Sequence, residues 1–259
     1  MMNRYVLLSF DVEEFDMPLE YGFNISAVEQ MQIGKKGLDA IQIVVDDPAL
    51  ATTLFTTANF AMHYPDAIRQ LANKHEIASH TFYHSDFCEE HLLSSKNKLE
   101  EISGQTVTGL RMPRMRKVSM EEVKKAGYLY DSSLNPTWLP GRYNNFHLPR
   151  TVYTEDGITR IPASVSPFIR VPLFWLSFKN LPYPLFKLLA LQALKKDGYL
   201  CLYFHPWEFT DIDGYGLPGY TKRFNDGPLL HRLNRLVSDL KKEADFVTMN
   251  DFYNKKVHS

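Results

Sequence analysis

The sequence predicts an α/β fold: parallel strands covered by helices, in one domain. Three observations predict it. Short apolar runs alternate with longer amphipathic ones along the chain, the pattern of strand–helix units. The chain has 259 residues, 44% of them hydrophobic, which is enough for one full core, and α/β barrels reach this length as single domains. No linker, internal repeat or low-complexity tract divides it, so one domain over 1–259 is expected.

The elements follow in order. YVLLSFD, Tyr5–Asp11, reads as a buried strand that ends on an acid. Gly37–Asp47 carries apolar residues at helical spacing, and Thr52–Ala58 is a β-branched and aromatic strand. PDAIRQLANKH opens with Pro65, a helix-start signal, and Glu76–His80 is a strand. Glu89–Ile102 is helical by period, and Thr106–Pro113 is a strand stopped by proline. Ser119 with Glu122 reads as a capping box opening a helix that stops at Gly127. YLYDS and ITRIPASV read as strands on either side of a loop-rich interval, Gly141–Asp156. Pro184–Gly198 is a strong helix, Tyr199–Pro206 a strand, Gly227–Ala244 a long amphipathic helix, and DFVTM a last strand.

Composition narrows the function. With 29 basic and 30 acidic residues the formal net charge is −1, so nothing draws the chain to nucleic acid or an anionic surface. Cys88 and Cys201 stand far apart in no metal-type spacing, and reduced thiols are expected. The N-terminal apolar run is short and acids follow at once, unlike a signal peptide, and no run is long enough to span a membrane. A cytoplasmic enzyme is the expectation.

In parallel α/β folds the chemistry gathers at the carboxyl ends of strands. Four ends carry polar residues: Asp11 with Glu13 and Glu14, His80 with His84, Arg111, and His205. Two histidines four apart on a helix share a face and suit zinc and similar ions; a solvated loop is the other reading. His75 precedes its strand and is assigned to the opposite end. The period of two puts Asp11 and Glu13 on one face, where one carboxylate can bind a metal and the other serve as base. An exposed acidic turn would look the same. Arg111 can orient a carboxylate, or be a surface arginine. His205 is a structural histidine or, beside a metal, a general acid.

The order FD-acid, HTFYH, RMP, DSS, LYFH resembles the polysaccharide deacetylase family (carbohydrate esterase family four). The likeness runs from Ser9 to about Glu208, and HTFYH fits the H-[ST]-x-x-H motif in full. YDSSLNPTWLPGRYN and YFHPWE resemble a bacterial subgroup associated with surface-polysaccharide synthesis. The resemblance implies a distorted, incomplete (β/α) barrel of seven-stranded type and a metal-dependent hydrolase that removes N-acetyl groups from amino sugars. It assigns Asp11 as base, His80 and His84 as metal ligands, and Arg111 as holder of the base. It assigns His205 as acid and Asp131 as the carboxylate orienting that acid, with Thr81 as a supporting hydroxyl. It gives the Arg114 position a part in the substrate groove. From the residues themselves, Trp138, Trp175 and Trp207 read either as sugar-stacking or as core tryptophans, and Trp207 and Glu208, directly after His205, are the candidates for lining the site.

Two departures stand out. Val12 replaces the usual second aspartate, so Glu13 is the expected third ligand, with Glu14 as competitor. Arg114 stands where many members have an aromatic residue; its backbone N–H remains for the oxyanion, and with Arg116 it favours an anionic substrate. One divalent ion is implied, zinc first, with cobalt, nickel and manganese compatible. The substrate is an amino sugar or glycan, free, nucleotide-linked or lipid-linked; the aromatic run Phe168–Lys196 either closes the barrel or forms an apolar lip at the inner membrane face. Tyr215–Tyr220 either flanks the groove or is a surface loop. A deformylase, a hydrolase of small cyclic amides, and a degenerate carbohydrate-binding member are the alternatives.

Overall fold

The computed structural model of the chain describes residues 4–257. Its strands are β1 (Tyr5–Val12), β2 (Thr53–Thr56), β3 (Glu76–Ser79), β4 (Gly109–Leu110), β5 (Tyr130–Asp131), β6 (Trp138–Leu139), β7 (Tyr143–Asn144), β8 (Tyr153–Glu155), β9 (Ile158–Arg160), β10 (Tyr199–Phe204) and β11 (Asp245–Phe246). Nine of them form one sheet in the order β10-β1-β2-β3-β4-β5-β9-β8, with β11 also paired to β1. In this sheet the run from β10 to β9 is parallel throughout and β8–β9 is an antiparallel hairpin, while β6 and β7 form a separate antiparallel pair. The sheet curls into an incomplete barrel. At the seam, Ser164 N donates to the Cys201 carbonyl and Cys201 N to Ser164 Oγ, both at 2.9 Å.

Strand parity divides the core in two. Val6, Leu8, Phe10 and Val12 point outward under the helices, while Leu7, Phe55, Ala78, Tyr130 and Cys201 fill the barrel. Continuing that alternation along β1 and past its end turns Ser9, Asp11 and Glu13 inward. The opposite end of the barrel is plugged by a helix the sequence reading left out, Met249–Val257. Met249 and Phe252 enter the barrel, Met249 N donates to Thr53 Oγ1 (2.8 Å) and Asn250 N to Glu76 (3.0 Å). The mouth at the strands' carboxyl ends is left for the site.

Helix Ala27–Ala40, capped by Ser26 Oγ accepting from Glu29 N, brings the outer layer close to that mouth. A Cβ on Gly34 would meet the Glu13 carbonyl at 2.5 Å, and one on Gly37 the Pro206 carbonyl at 2.2 Å. Two glycines on one helix face thus let it lie directly on the segments that carry Glu13 and Trp207. Elsewhere the elements are shorter than their patterns. The Thr106–Pro113 pattern yields two strand residues, and the Gly141–Asp156 interval holds β7 and β8. Ser119 precedes helix Met120–Lys125 without a side-chain cap bond. Gly198, at φ +76°, ends helix Tyr183–Asp197 as expected.

Candidate metal centre

Glu13, His80 and His84 converge in a buried cluster, their nearest ligand atoms within 4.8 Å of one another. Glu13 Oε2 lies 2.9 Å from His80 Nε2 and 3.1 Å from His84 Nε2. Despite those separations it has no partner in hydrogen-bonding geometry. A buried carboxylate oxygen left unsatisfied costs about 1–3 kcal/mol or more. Two imidazole nitrogens and one carboxylate oxygen facing a common point are the donor set of an open divalent-metal site, so the residues present fit an ion. The histidines do not share a helix face. They sit on an irregular turn in which Thr81 adopts φ +63°, its hydroxyl donates to the Tyr83 carbonyl, and its carbonyl accepts from Ala58 N.

The remaining atoms of these residues are held from behind. His80 Nδ1 lies 2.8 Å from the Arg111 carbonyl, which fixes the proton there and leaves Nε2 bare. His84 Nδ1 lies 2.6 Å from Asp16 Oδ1. Asp16, which the sequence reading did not single out, also accepts from Ser85 Oγ and, at 3.2 Å, from Arg114 Nη2. Glu13 Oε1 accepts from Trp207 Nε1 at 3.0 Å. Glu14 points elsewhere, to Thr57 Oγ1 (2.7 Å) and Asn59 Nδ2 (2.6 Å). Of the two glutamates, Glu13 is thus the one that faces the imidazoles. Burial would raise its carboxyl, but His84, His80 and His205 outweigh it and hold it well below the usual range. For His84 burial opposes the charged ring, yet Glu13 and Asp16 push it up to about 9.

Beside this cluster Asp11 Oδ1 accepts from Arg111 Nη1 at 2.6 Å, and its Oδ2 lies 3.8 Å from His205 Nε2. Arg111 is fully buried inside the barrel, between Phe55 and Tyr203, with further bonds to Ser9 Oγ and to the Ser132 carbonyl and hydroxyl. Its burial is tolerable because every face is satisfied and Asp11 supplies the countercharge. His205 is oriented by Glu208: Nδ1 to Oε1 is 3.0 Å, and the His205 N–H donates to the same oxygen. Glu208 Oε2 meets Lys179 Nζ at 2.9 Å, both side chains fully buried. Burial lowers the His205 proton affinity, but Glu208 and the other carboxylates raise it above the ordinary value. The indole of Trp207 stacks on His205 at 4.9 Å.

Three expectations are corrected here. Asp131 does not reach His205. Its neighbour Tyr130 faces the barrel, so Asp131 points outward, where it pairs with Arg160 (2.9 Å) and binds Ser133 N and Oγ. Ser133 in turn accepts from Met112 N, so Asp131 steadies the loop after Arg111. Glu208 is buried behind His205 and cannot touch a substrate. Trp138 is 62% exposed and lies off the cleft lining, where Trp175 is present instead.

The cleft over the cluster has a volume of about 270 Å³. Asp11, Glu13, His80, His84, His205, Trp207 and Arg114 line it, with Glu20, Tyr21, Arg142, Tyr143, Trp175 and Tyr220 around them. Arg114 is held at φ +56° and contacts Glu20 and Asp16. His75 is buried at the barrel's other end, its Nδ1 accepting from Thr52 N. Among the described residues no helix is long and apolar enough to cross a membrane.

Comparison with known proteins bears on the fold. Residues 35–130 match the family described as polysaccharide deacetylase, a span holding His80, His84 and Arg111 but not Asp11, Glu13 or His205. No curated protein matches by sequence. Solved structures similar to this chain include a Mycobacterium smegmatis protein assigned as a polysaccharide deacetylase (TM-score 0.66, 18% identity, 98% of this chain and 91% of that one). PuuE allantoinase gives TM-score 0.64 at 18% identity, over 96% and 89%. A mutant of BA3943, a Bacillus anthracis pseudoenzyme of the same esterase family with activity restored, gives 0.53 at 11%, over 97% and 68%. At these identities the shared property is the fold.

Proposed function

From a chain that carries a polysaccharide deacetylase segment at residues 35–130 on that family's barrel, we propose a metal-dependent hydrolase that removes an N-acetyl group from an amino sugar. The observation that supports it most is the bare Glu13 oxygen between two imidazole nitrogens, with Asp11 and His205 on the same cleft. Glu13, His80 and His84 would hold the ion, zinc before cobalt, nickel or manganese. When bound, the ion supplies Lewis acidity: a more acidic water and a polarised amide carbonyl.

The chain's own residues do the rest. Asp11, pinned through one oxygen by Arg111, presents the other to take a proton from the attacking water. His205, its Nδ1 held by Glu208, points Nε2 into the cleft and donates a proton to the leaving nitrogen. Its raised proton affinity favours the protonated form that an acid needs. Trp207 and Trp175 shield this histidine from water on two sides. The Arg114 N–H is offered to the oxyanion. Acetate and a free amino sugar are the products.

The test is metal content and acetate release on N-acetylhexosamines, for wild type and His80→Ala. Wild-type protein that holds no metal would sink the reading. The allantoinase among the similar folds supports a second reading, a small cyclic amide as substrate. Formate release would point instead to an N-formyl sugar.

A further inference from the structure

The cleft is bridged on the β1 side. The segment 17–21 follows the strand that carries Asp11 and Glu13, and its Met17, Glu20 and Tyr21 line the cleft. It is tied to three other sectors of the rim. Glu20 meets Arg114, which follows β4, and lies 3.6 Å from Arg142 Nη2, in the turn between β6 and β7. Tyr21 Oη lies 3.3 Å from Tyr220 Oη, in the segment after β10. The partners are thus 94, 122 and 199 positions away in sequence (114 − 20, 142 − 20 and 220 − 21).

The bridge is anchored at its β10 end. Asn180 Nδ2 donates to the Tyr220 carbonyl at 2.8 Å, and the buried Lys179 donates to the Thr221 carbonyl at 2.7 Å. The same loop packs on the β1 side: the Tyr215 ring meets Phe15 edge-on at 5.3 Å, and its hydroxyl donates to Glu29 at 2.9 Å. The Lys179 and Tyr215 contacts are buried or partly buried, so the bridge does not rest on one exposed pair of phenols.

A groove that binds the interior of a polymer needs an entrance and an exit for the chain. Here one of the two directions is crossed by Glu20–Arg142 and Tyr21–Tyr220, all four of which line the cleft. We propose that this site takes a single amino sugar or the terminal residue of a chain, and that Glu20, Tyr21, Arg142 and Tyr220 set that limit by blocking passage of a second sugar toward β1. The inference rests on the deacetylase reading above and narrows its substrate.

The test uses metal-loaded full-length protein with N-acetylglucosamine, its dimer and longer oligomers. Acetate is quantified, and fragmentation mass spectrometry locates each free amine. The expected result is one free amine per chain, at a terminus, whatever the length. In Tyr220→Ala and in Arg142→Ala with Glu20→Ala, the ratio of interior to terminal amines rises about tenfold or more. Interior amines made by wild type as readily as terminal ones would overturn the proposal and leave the deacetylase reading standing. Terminal-only product that is unchanged in both variants would overturn the role of these four residues. Absence of acetate from every substrate, with metal bound, would remove both readings together.

Discussion

Asp16 Oδ1 lies 2.6 Å from His84 Nδ1, and both side chains are buried. The carboxylate fixes the ring's orientation and keeps its proton on Nδ1, so Nε2 is the atom turned toward Glu13 and His80. Asp16→Ala is expected to weaken metal binding about 10–100-fold. A chelator competition reads this, with circular dichroism to confirm the fold. Unchanged affinity in a folded variant would show that the ring needs no such partner.

The two adjacent glutamates separate cleanly. Glu13→Gln is expected to purify with only trace metal, because the donor that faces both imidazoles is gone. Glu14→Gln keeps its metal and loses about 1–3 kcal/mol of stability, since Thr57 and Asn59 lose a charged acceptor. Metal analysis with urea titration decides, and a metal-free Glu14→Gln protein would reverse the assignment.

The pH dependence of metal binding follows from His84. In the metal-free protein its proton is held up to about 9, above the ordinary 6.5. That proton stabilises the empty fold fully below about pH 6.5, and the contribution is lost as pH rises through about 9. The ion requires the bare ring nitrogen, so affinity climbs across the same interval and uptake at neutral pH releases a proton. Calorimetry in buffers of different ionisation enthalpy measures the release. A flat affinity between those limits would contradict it.

Lys179 and Glu208 form a fully buried ion pair behind the proposed acid. Lys179→Met leaves a carboxylate buried with only His205 beside it and is expected to cost about 3–5 kcal/mol. Adding Glu208→Leu removes the stranded charge and recovers much of that loss, while His205 loses the group that orients it. Deacetylation by the double variant then falls about 10²-fold or more. Denaturant midpoints and kcat are the readouts. A stable double variant with full activity would show that His205 needs no carboxylate behind it.

Much of the site is legible in the sequence. The period of two along β1 put Asp11 and Glu13 on one face, and the barrel core confirms that parity through Leu7 and Phe10. The apolar runs placed His80, Arg111 and His205 just past strand ends, and those residues do meet at one mouth. His80 and His84 are brought together by a turn at Thr81, not by the shared helix face that their spacing suggests.

The partners behind that front row were not legible. Asp131 sits in a strand of two residues, too short for alternation to reveal a face, and its neighbour's contact with the barrel core decides that it points outward. Asp16, Glu20, Lys179 and Glu208 belong to irregular segments or short helices, where no period links position to direction. Sequence alone determined the parallel α/β order, the inward carboxylates and the strand-end groups, because local periodicity and chain order specify them. Tertiary structure decided which glutamate faces the imidazoles, which carboxylate holds His205, and how the rim is bridged. Those outcomes depend on through-space distances between segments up to 199 positions apart, and no local pattern encodes them.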